Sequence, residues 1–280
     1  MKRLFLAFFI LSLGFSTSVK AQIVDEAPVD GLYAQDENVD AKPVPYAYIR
    51  KADIMWSKRV WREIDFRQKF NQKFYFPIDP QANWKSFITV VLDALKEGKI
   101  TAYDISNTDE LLTPITYNEI ISRQTDSIYQ IMNRPYPPYE EYDTVIFTEF
   151  DPTRVMRLRV KEDWYFDSKR SQMLVRILAL CPVMIKERNG QEVTEPLFWI
   201  SYPESREAFA KALVFNESNQ AARLNYDELF WKRLFASYIY KEQNVFDRRI
   251  SQYATGVDAL LESDRIKKEL FKFEESLWQY

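Results

Sequence analysis

Apolar and polar positions alternate along this chain with several distinct periods, and the clearest lies in the last third. After Gly256, the residues Ile266, Leu270, Phe273 and Leu277 recur at alternating steps of four and three. That spacing lays one apolar stripe along a terminal helix, with acids and bases over the rest of its surface. Such a stripe has to be covered, either by the core of its own domain or by a neighbouring subunit.

Upstream, Asp53 is placed to cap a helix over 53–64 with Val60, Trp61 and Ile64 on one face. A strand over 73–76 ends at Pro77. Asn83 then caps a second helix, whose face is Phe87, Val90, Val91, Ala94 and Leu95 and which stops at Gly98. Residues 99–104 read as a strand. Thr116 with Glu119 makes a capping box ahead of Ile120, Ile121, Ser127, Ile128 and Ile131, a further amphipathic helix. The Pro-Tyr stretch 134–142 breaks that helix, runs extended and marks a sub-boundary.

Beyond it, 145–150 and 155–160 read as strands. Met156, Leu158 and Val160 face one way in the second of them, and Arg157, Arg159 and Lys161 the other. Two longer strands, 174–186 and 192–202, flank Asn189-Gly190, a dipeptide suited to a tight hairpin turn. A faint internal echo follows. Phe74-Tyr-Phe-Pro77, a helix, a strand over 100–104 and another helix recur in order as Trp199-Ile-Ser-Tyr-Pro203, a helix, a strand over 237–241 and the terminal helix. The second copy carries an extra helix over 226–236; duplication and chance recurrence both account for the likeness. Mixed elements without regular alternation predict an α+β fold in one compact unit of two weakly similar halves.

Composition narrows the chemistry sharply. There is no histidine among 280 residues, which removes histidine bases, Ser-His-Asp and Cys-His nucleophile systems, and histidine zinc sites. The single cysteine, Cys181, lies in an apolar run expected to be a buried strand, so no intrachain disulfide forms and cysteine-rich metal sites are excluded. Beyond Gly14, the glycines stand isolated at 31, 98, 190 and 256, and no phosphate-binding loop can be built from them. No cofactor or metal is expected.

Lys2 and Arg3 precede an apolar stretch over 4–15, followed by Val19-Lys20-Ala21, which reads as a signal peptide over 1–21. The mature chain is expected to be exported and soluble, with no apolar stretch near the roughly 20 residues of a membrane-spanning helix. Losing Lys2, Arg3 and Lys20 takes the formal charge from −3 to −6. Residues 22–46 form an acidic tail holding Asp25, Glu26, Asp30, Asp36, Glu37 and Asp40, expected to be extended or disordered. Residues 50–73 are the opposite, with eight bases against three acids, interleaved with Trp56, Trp61, Phe66 and Phe70. Export and net negative charge argue against nucleic acid as their partner; a solvated face and a protein contact both remain open.

The best catalytic candidate is Lys161-Glu-Asp-Trp-Tyr-Phe-Asp167. In an extended segment Asp163, Tyr165 and Asp167 share a face, so two carboxylates flank an aromatic platform, as in a periplasmic carbohydrate-binding protein or glycosidase. The bland alternative pairs these acids with Arg159, Lys161, Lys169 and Arg170. Asp247-Arg248-Arg249 is the other charged site, either an intrachain network or a subunit contact.

Four long strings carry a family resemblance: DIMWSKRVWREID over 53–65, RVKEDWYFDSKR over 159–170, PLFWISYPESREAFA over 196–210, and FASYIYKEQNVFDRRISQYATGVDALLESDRIKKELFKFEESLWQY over 235–280. In this order they resemble the GldN/PorN family of periplasmic ring proteins in the type IX secretion and gliding motility machinery of Bacteroidetes. The resemblance implies a non-enzymatic structural role over 47–280 and self-association in a ring. It also implies attachment to a GldK/PorK-type outer-membrane lipoprotein and work alongside GldL/GldM (PorL/PorM) motor components. Within that role Trp56, Arg59, Trp61 and Arg62 are candidates for one contact patch, and Asp163, Trp164, Asp247 and Arg248 for another.

Overall fold

The computed structural model describes residues 41–277 apart from 82–83, 107–108, 134–135, 138–140, 149, 189 and 217–222. The leader, the tail to residue 40, the Asn83 cap and Asn189 lie outside the described residues. In chain order the elements begin with β1 (Ile54–Asp65), α1 (Phe87–Lys96), β2 (Ala102–Tyr103), β3 (Pro114–Ile115), α2 (Tyr117–Gln124), β4 (Asp126–Asn133) and β5 (Glu141–Thr148). They continue with β6 (Val155–Asp167), β7 (Gln172–Arg188), β8 (Gln191–Pro196), β9 (Trp199–Ser201), α3 (Tyr202–Lys211), β10 (Leu213–Val214), β11 (Leu224–Asn225), α4 (Tyr226–Trp231), β12 (Tyr238–Glu242) and α5 (Val257–Ser276). The fold is α+β.

Eight strands make one antiparallel sheet in the order β12-β1-β6-β7-β9-β2-β3, with β8 also on β7. Its spine is β6 between β1 and β7. The β7–β8 hairpin closes at Arg188↔Gln191, and Gly190 there has φ +74, the left-handed geometry a two-residue turn demands. The pairs β4–β5 and β10–β11 form separate two-stranded sheets, with the Pro-Tyr stretch between β4 and β5.

Alternation along β1 and β6 divides the first face of the sheet into three zones. At one end Ile64, Leu158, Val160, Leu180 and Ile200 lie beneath α1, α3 and α4 in the main core. Its centre is aromatic: Phe74, Phe87, Tyr202, Phe209, Tyr226 and Phe230 are each at most 1% exposed. At the other end Val60, Trp164 and Ile239 meet Ile266 and Leu270 of α5, while Trp56 stacks on Phe273 with ring centroids 4.4 Å apart. Between them lie Arg62 and Glu162. The second face holds a third cluster of Trp61, Ala179, Cys181, Val183 and Trp199, flanked by Tyr103, Ile105, Leu111 and Tyr240.

The predicted faces of α1 and α5 are the ones buried. Ser86 caps α1 by accepting from the Thr89 N–H, and Gly98 ends it with φ +69 and bonds back to Leu95 and Ala94 from itself and Lys99. The stripe of α5 is covered by its own chain. The capping box of Thr116 and Glu119 forms as expected, but α2 stops at Gln124, and Ile128 and Ile131 belong to β4.

The helix expected over 53–64 is instead β1. Asp53 caps nothing: its carboxylate takes the Arg50 guanidinium at 2.9 and 3.0 Å, and its carbonyl accepts from Ser168. Both faces of β1 carry charged and aromatic residues that find partners on β6 and β12, so the sequence lacks the simple alternation of a half-wet strand. The strand expected over 73–76 is a 3-10 turn, Lys69–Phe74, pinned by the buried Asn71 amide, which donates to the Asp65 and Ala236 carbonyls at 2.9 Å each. Cys181 is a fully buried strand residue as predicted, and burial pushes its thiol up to about 12.

Candidate functional site

The second face of the sheet gathers the charged residues of β1, β6 and β12. Glu63, 3% exposed, accepts from Arg157 Nη1 and Arg159 Nε at 3.0 Å each and from the Tyr238 hydroxyl. Burial, then the Glu63 charge, raises the Tyr238 phenol above its ordinary range. One step along, the Trp61 ring lies beneath Lys241 Nζ at 4.4 Å and Lys161 Nζ at 5.8 Å from its centroid. Asp109 from the loop after β2 closes this group, accepting from Trp61 Nε1 through its carboxylate and from Lys161 Nζ through its carbonyl at 2.7 Å. Burial pulls the Lys161 ammonium down, and Asp109 opposes that pull. Arg59 then forks onto Asp163 at 2.6 and 2.9 Å.

On the first face an ion triad built on a buried carboxylate separates the two apolar clusters. Glu162, wholly buried, takes Arg233 in a fork at 2.6 and 3.2 Å and lies 2.5 Å from Arg62 Nε. Both guanidiniums sit over the Trp164 ring at 5.5 Å from its centroid. Burial lowers the Arg62 pKa, opposed chiefly by Glu162. One buried carboxylate between a buried Arg62 and a part-buried Arg233 is strongly held, because removing it leaves the desolvated Arg62 charge facing a second guanidinium.

The eight residues singled out as contact candidates thus divide into two groups. Trp61, Arg62 and Trp164 are 4%, 5% and 8% exposed, and their side chains are committed to packing inside the chain. Trp56 is half-buried on Phe273, and Arg59 and Asp163 satisfy each other. Only Asp247 and Arg248 stand fully at the surface, on the loop after β12. Most of the basic run over 50–73 is paired within the chain: Arg50, Lys58, Arg59, Arg62 and Arg67, five of its eight bases, lie against acids.

The carboxylates offered for glycoside chemistry are satisfied in the same way. Asp167 accepts from Arg170 Nη1 at 2.6 Å and from the backbone N–H groups of Lys169 and Arg170, contacts that hold its carboxyl below the usual range. A general acid needs the opposite shift. Asp163 is locked by Arg59, so neither carboxylate is poised for that reaction.

Several key residues escaped sequence reading. Arg233 and Glu162 lie 71 residues apart, and Arg206 and Asp227 form a second buried pair at 2.7 Å. Arg206 also donates to the Val44 carbonyl, and its guanidinium and that of Arg176 lie 4.3 and 4.5 Å from the Tyr46 ring centroid. Tyr46, assigned by composition to the tail, is therefore clamped to the body. The Pro43-Val-Pro-Tyr46 run was the one local signal for this contact.

The family model of the gliding motility associated protein GldN matches residues 49–279. The chain belongs to the GldN family. The match starts just ahead of β1 and takes in the whole sheet and all five helices, so the ion triad and the charged second face are features of a GldN-family domain. Comparison with curated proteins gives no match. Among the described residues no helix is long and apolar enough to cross a membrane.

Proposed function

We propose that this GldN-family chain is a non-enzymatic structural component of the periplasmic ring of the type IX secretion system, required for protein secretion and for gliding where cells glide. In this reading it is exported by its leader, self-associates in the ring, docks on a GldK/PorK-type outer-membrane lipoprotein and works with GldL/GldM (PorL/PorM) components. The family match over 49–279 is the observation that carries the reading. The internal pairing of nearly every charge on β1 and β6 supports a load-resisting scaffold more than a site that exchanges protons with a substrate.

Of the contact patches, the loop bearing Asp247 and Arg248 is the accessible one. Arg248→Glu is expected to cut co-purification with the lipoprotein, ring yield and type IX export severalfold with an unchanged circular-dichroism spectrum. Wild-type rings and export in that variant remove the loop from the interface, and a gene deletion that leaves cargo secretion normal sinks the assignment. Arg62 does not serve as a surface probe. Reversing its charge inside the triad is a stability experiment.

A further inference from the structure

The loop after β12 holds the most exposed apolar side chain of the described residues. Val245 is 97% exposed and its neighbour Phe246 is 72% exposed. The backbone beneath them is tied down. Asn244 Nδ2 donates to the Glu242 and Arg248 carbonyls at 2.9 and 2.8 Å, and its Oδ1 accepts from the Phe246 and Arg248 N–H groups at 3.1 and 3.0 Å. Asp247 takes the left-handed region at φ 51, which aspartate tolerates, and its carboxylate lies 2.6 Å from Lys241 Nζ. A β-bridge from Lys241 to Arg249 closes the base. Covering such a loop costs little conformational entropy, because it is already ordered.

Its charges are arranged to match. The Arg248 guanidinium stacks on Phe246 at 4.4 Å and reaches Tyr253 at 5.9 Å. Among the described residues neither Arg248 nor Arg249 has a carboxylate within ion-pair distance. The nearby acids are engaged: Asp247 by Lys241, Glu242 by Lys58, and Glu262 by Arg265 and the Tyr253 hydroxyl. Asp258, in the first turn of α5, is the exception and remains exposed. Val257, Leu260 and Leu261, in the first five residues of α5, are also exposed.

We propose that this loop is a peripheral contact with an anionic phospholipid bilayer. Val245 and Phe246 enter the interfacial layer, Tyr253 sits at its edge, and Arg248 and Arg249 pair with phosphates. A side chain standing this clear of its neighbours needs a covering that closes around it from every side. Acyl chains do so without a shape-matched pocket, and guanidinium forks fit phosphate oxygens. Two apolar side chains bury less than one acyl anchor, so binding by a single copy is weak and reversible.

The test is equilibrium surface plasmon resonance of the purified mature chain on supported bilayers. One surface is phosphatidylethanolamine with about a quarter phosphatidylglycerol and the other is pure phosphatidylcholine. The expected result is binding to the anionic bilayer that weakens with salt, falls on the order of tenfold in Phe246→Ser and falls about fivefold each in Arg248→Gln and Arg249→Gln. Circular dichroism should not change in any of the three. No binding at millimolar protein, or binding that Phe246→Ser leaves untouched, overturns the proposal. So does a lipid-free dimer, seen by analytical ultracentrifugation, that Phe246→Ser dissolves, because the loop then belongs to a second copy. This loop cannot serve a ring neighbour and a bilayer at once, so loss of rings and export in Arg248→Glu without loss of bilayer binding overturns the bilayer reading, and failure of bilayer binding leaves the ring assignment standing.

Discussion

The two ends of the first sheet face are built from similar residues and are finished differently. At one end α1, α3 and α4 close over six aromatic rings, with Phe230 within 6.1 Å of Phe74, Phe87, Tyr202, Phe209 and Phe235. At the other a single helix, α5, covers Val60, Trp164 and Ile239, and its opposite flank leaves Val257, Leu260, Leu261 and Phe271 more than half exposed. The Arg62–Glu162–Arg233 triad marks the border. Apolar content alone does not decide which end becomes interior. The number of elements that fold back over each end does, and one helix can bury only one of its stripes.

Phe230→Ala should break the contrast most severely. Removing the hub of the aromatic group leaves a cavity the surrounding rings cannot fill, and the expected loss is about 3–5 kcal/mol, read by urea denaturation. A loss below about 1 kcal/mol would mean that the two ends are equally loose. Glu162→Gln attacks the border and should cost about 3 kcal/mol, because the buried Arg62 guanidinium keeps its charge without the carboxylate and faces the part-buried Arg233. If Arg62→Met combined with that change restores most of the loss, the triad serves as a charge-balanced seam rather than a source of net stability.

The smallest effect lies outside both ends, at Asp104. Hydrogen bonding from Arg123, with help from Ser106, holds that carboxyl down to about 2, against roughly 3.9 for an unperturbed aspartate. A depressed carboxyl contributes stability above its unfolded pKa and loses it as pH falls through the folded one. The pair's contribution should therefore be present above about pH 4 and disappear toward pH 2. Arg123 is half exposed, so Asp104→Asn is expected to cost less than about 1 kcal/mol at pH 7 and to flatten stability between those two pH values. An unchanged acid limb in the variant would refute the assignment.

Much of this was decided by the sequence itself. The faces of α1 and α5, the Thr116–Glu119 capping box, the first half of β6, the long β7 strand and the turn at Gly190 rest on local terms: side-chain period, capping chemistry and left-handed backbone; β6 itself runs on past the expected end at Val160 to Asp167. The four strings that pointed to the GldN family are likewise contiguous. Only the tertiary structure decided that 54–65 is a strand, because its stability comes from pairing with β6 and β12, and strand preference depends on such neighbours more than on the segment. The fate of the charges was equally non-local. Arg59 and Asp163 are 104 residues apart, and no local pattern tells a guanidinium that will be spent inside from one, like that of Arg248, that will be left at the surface.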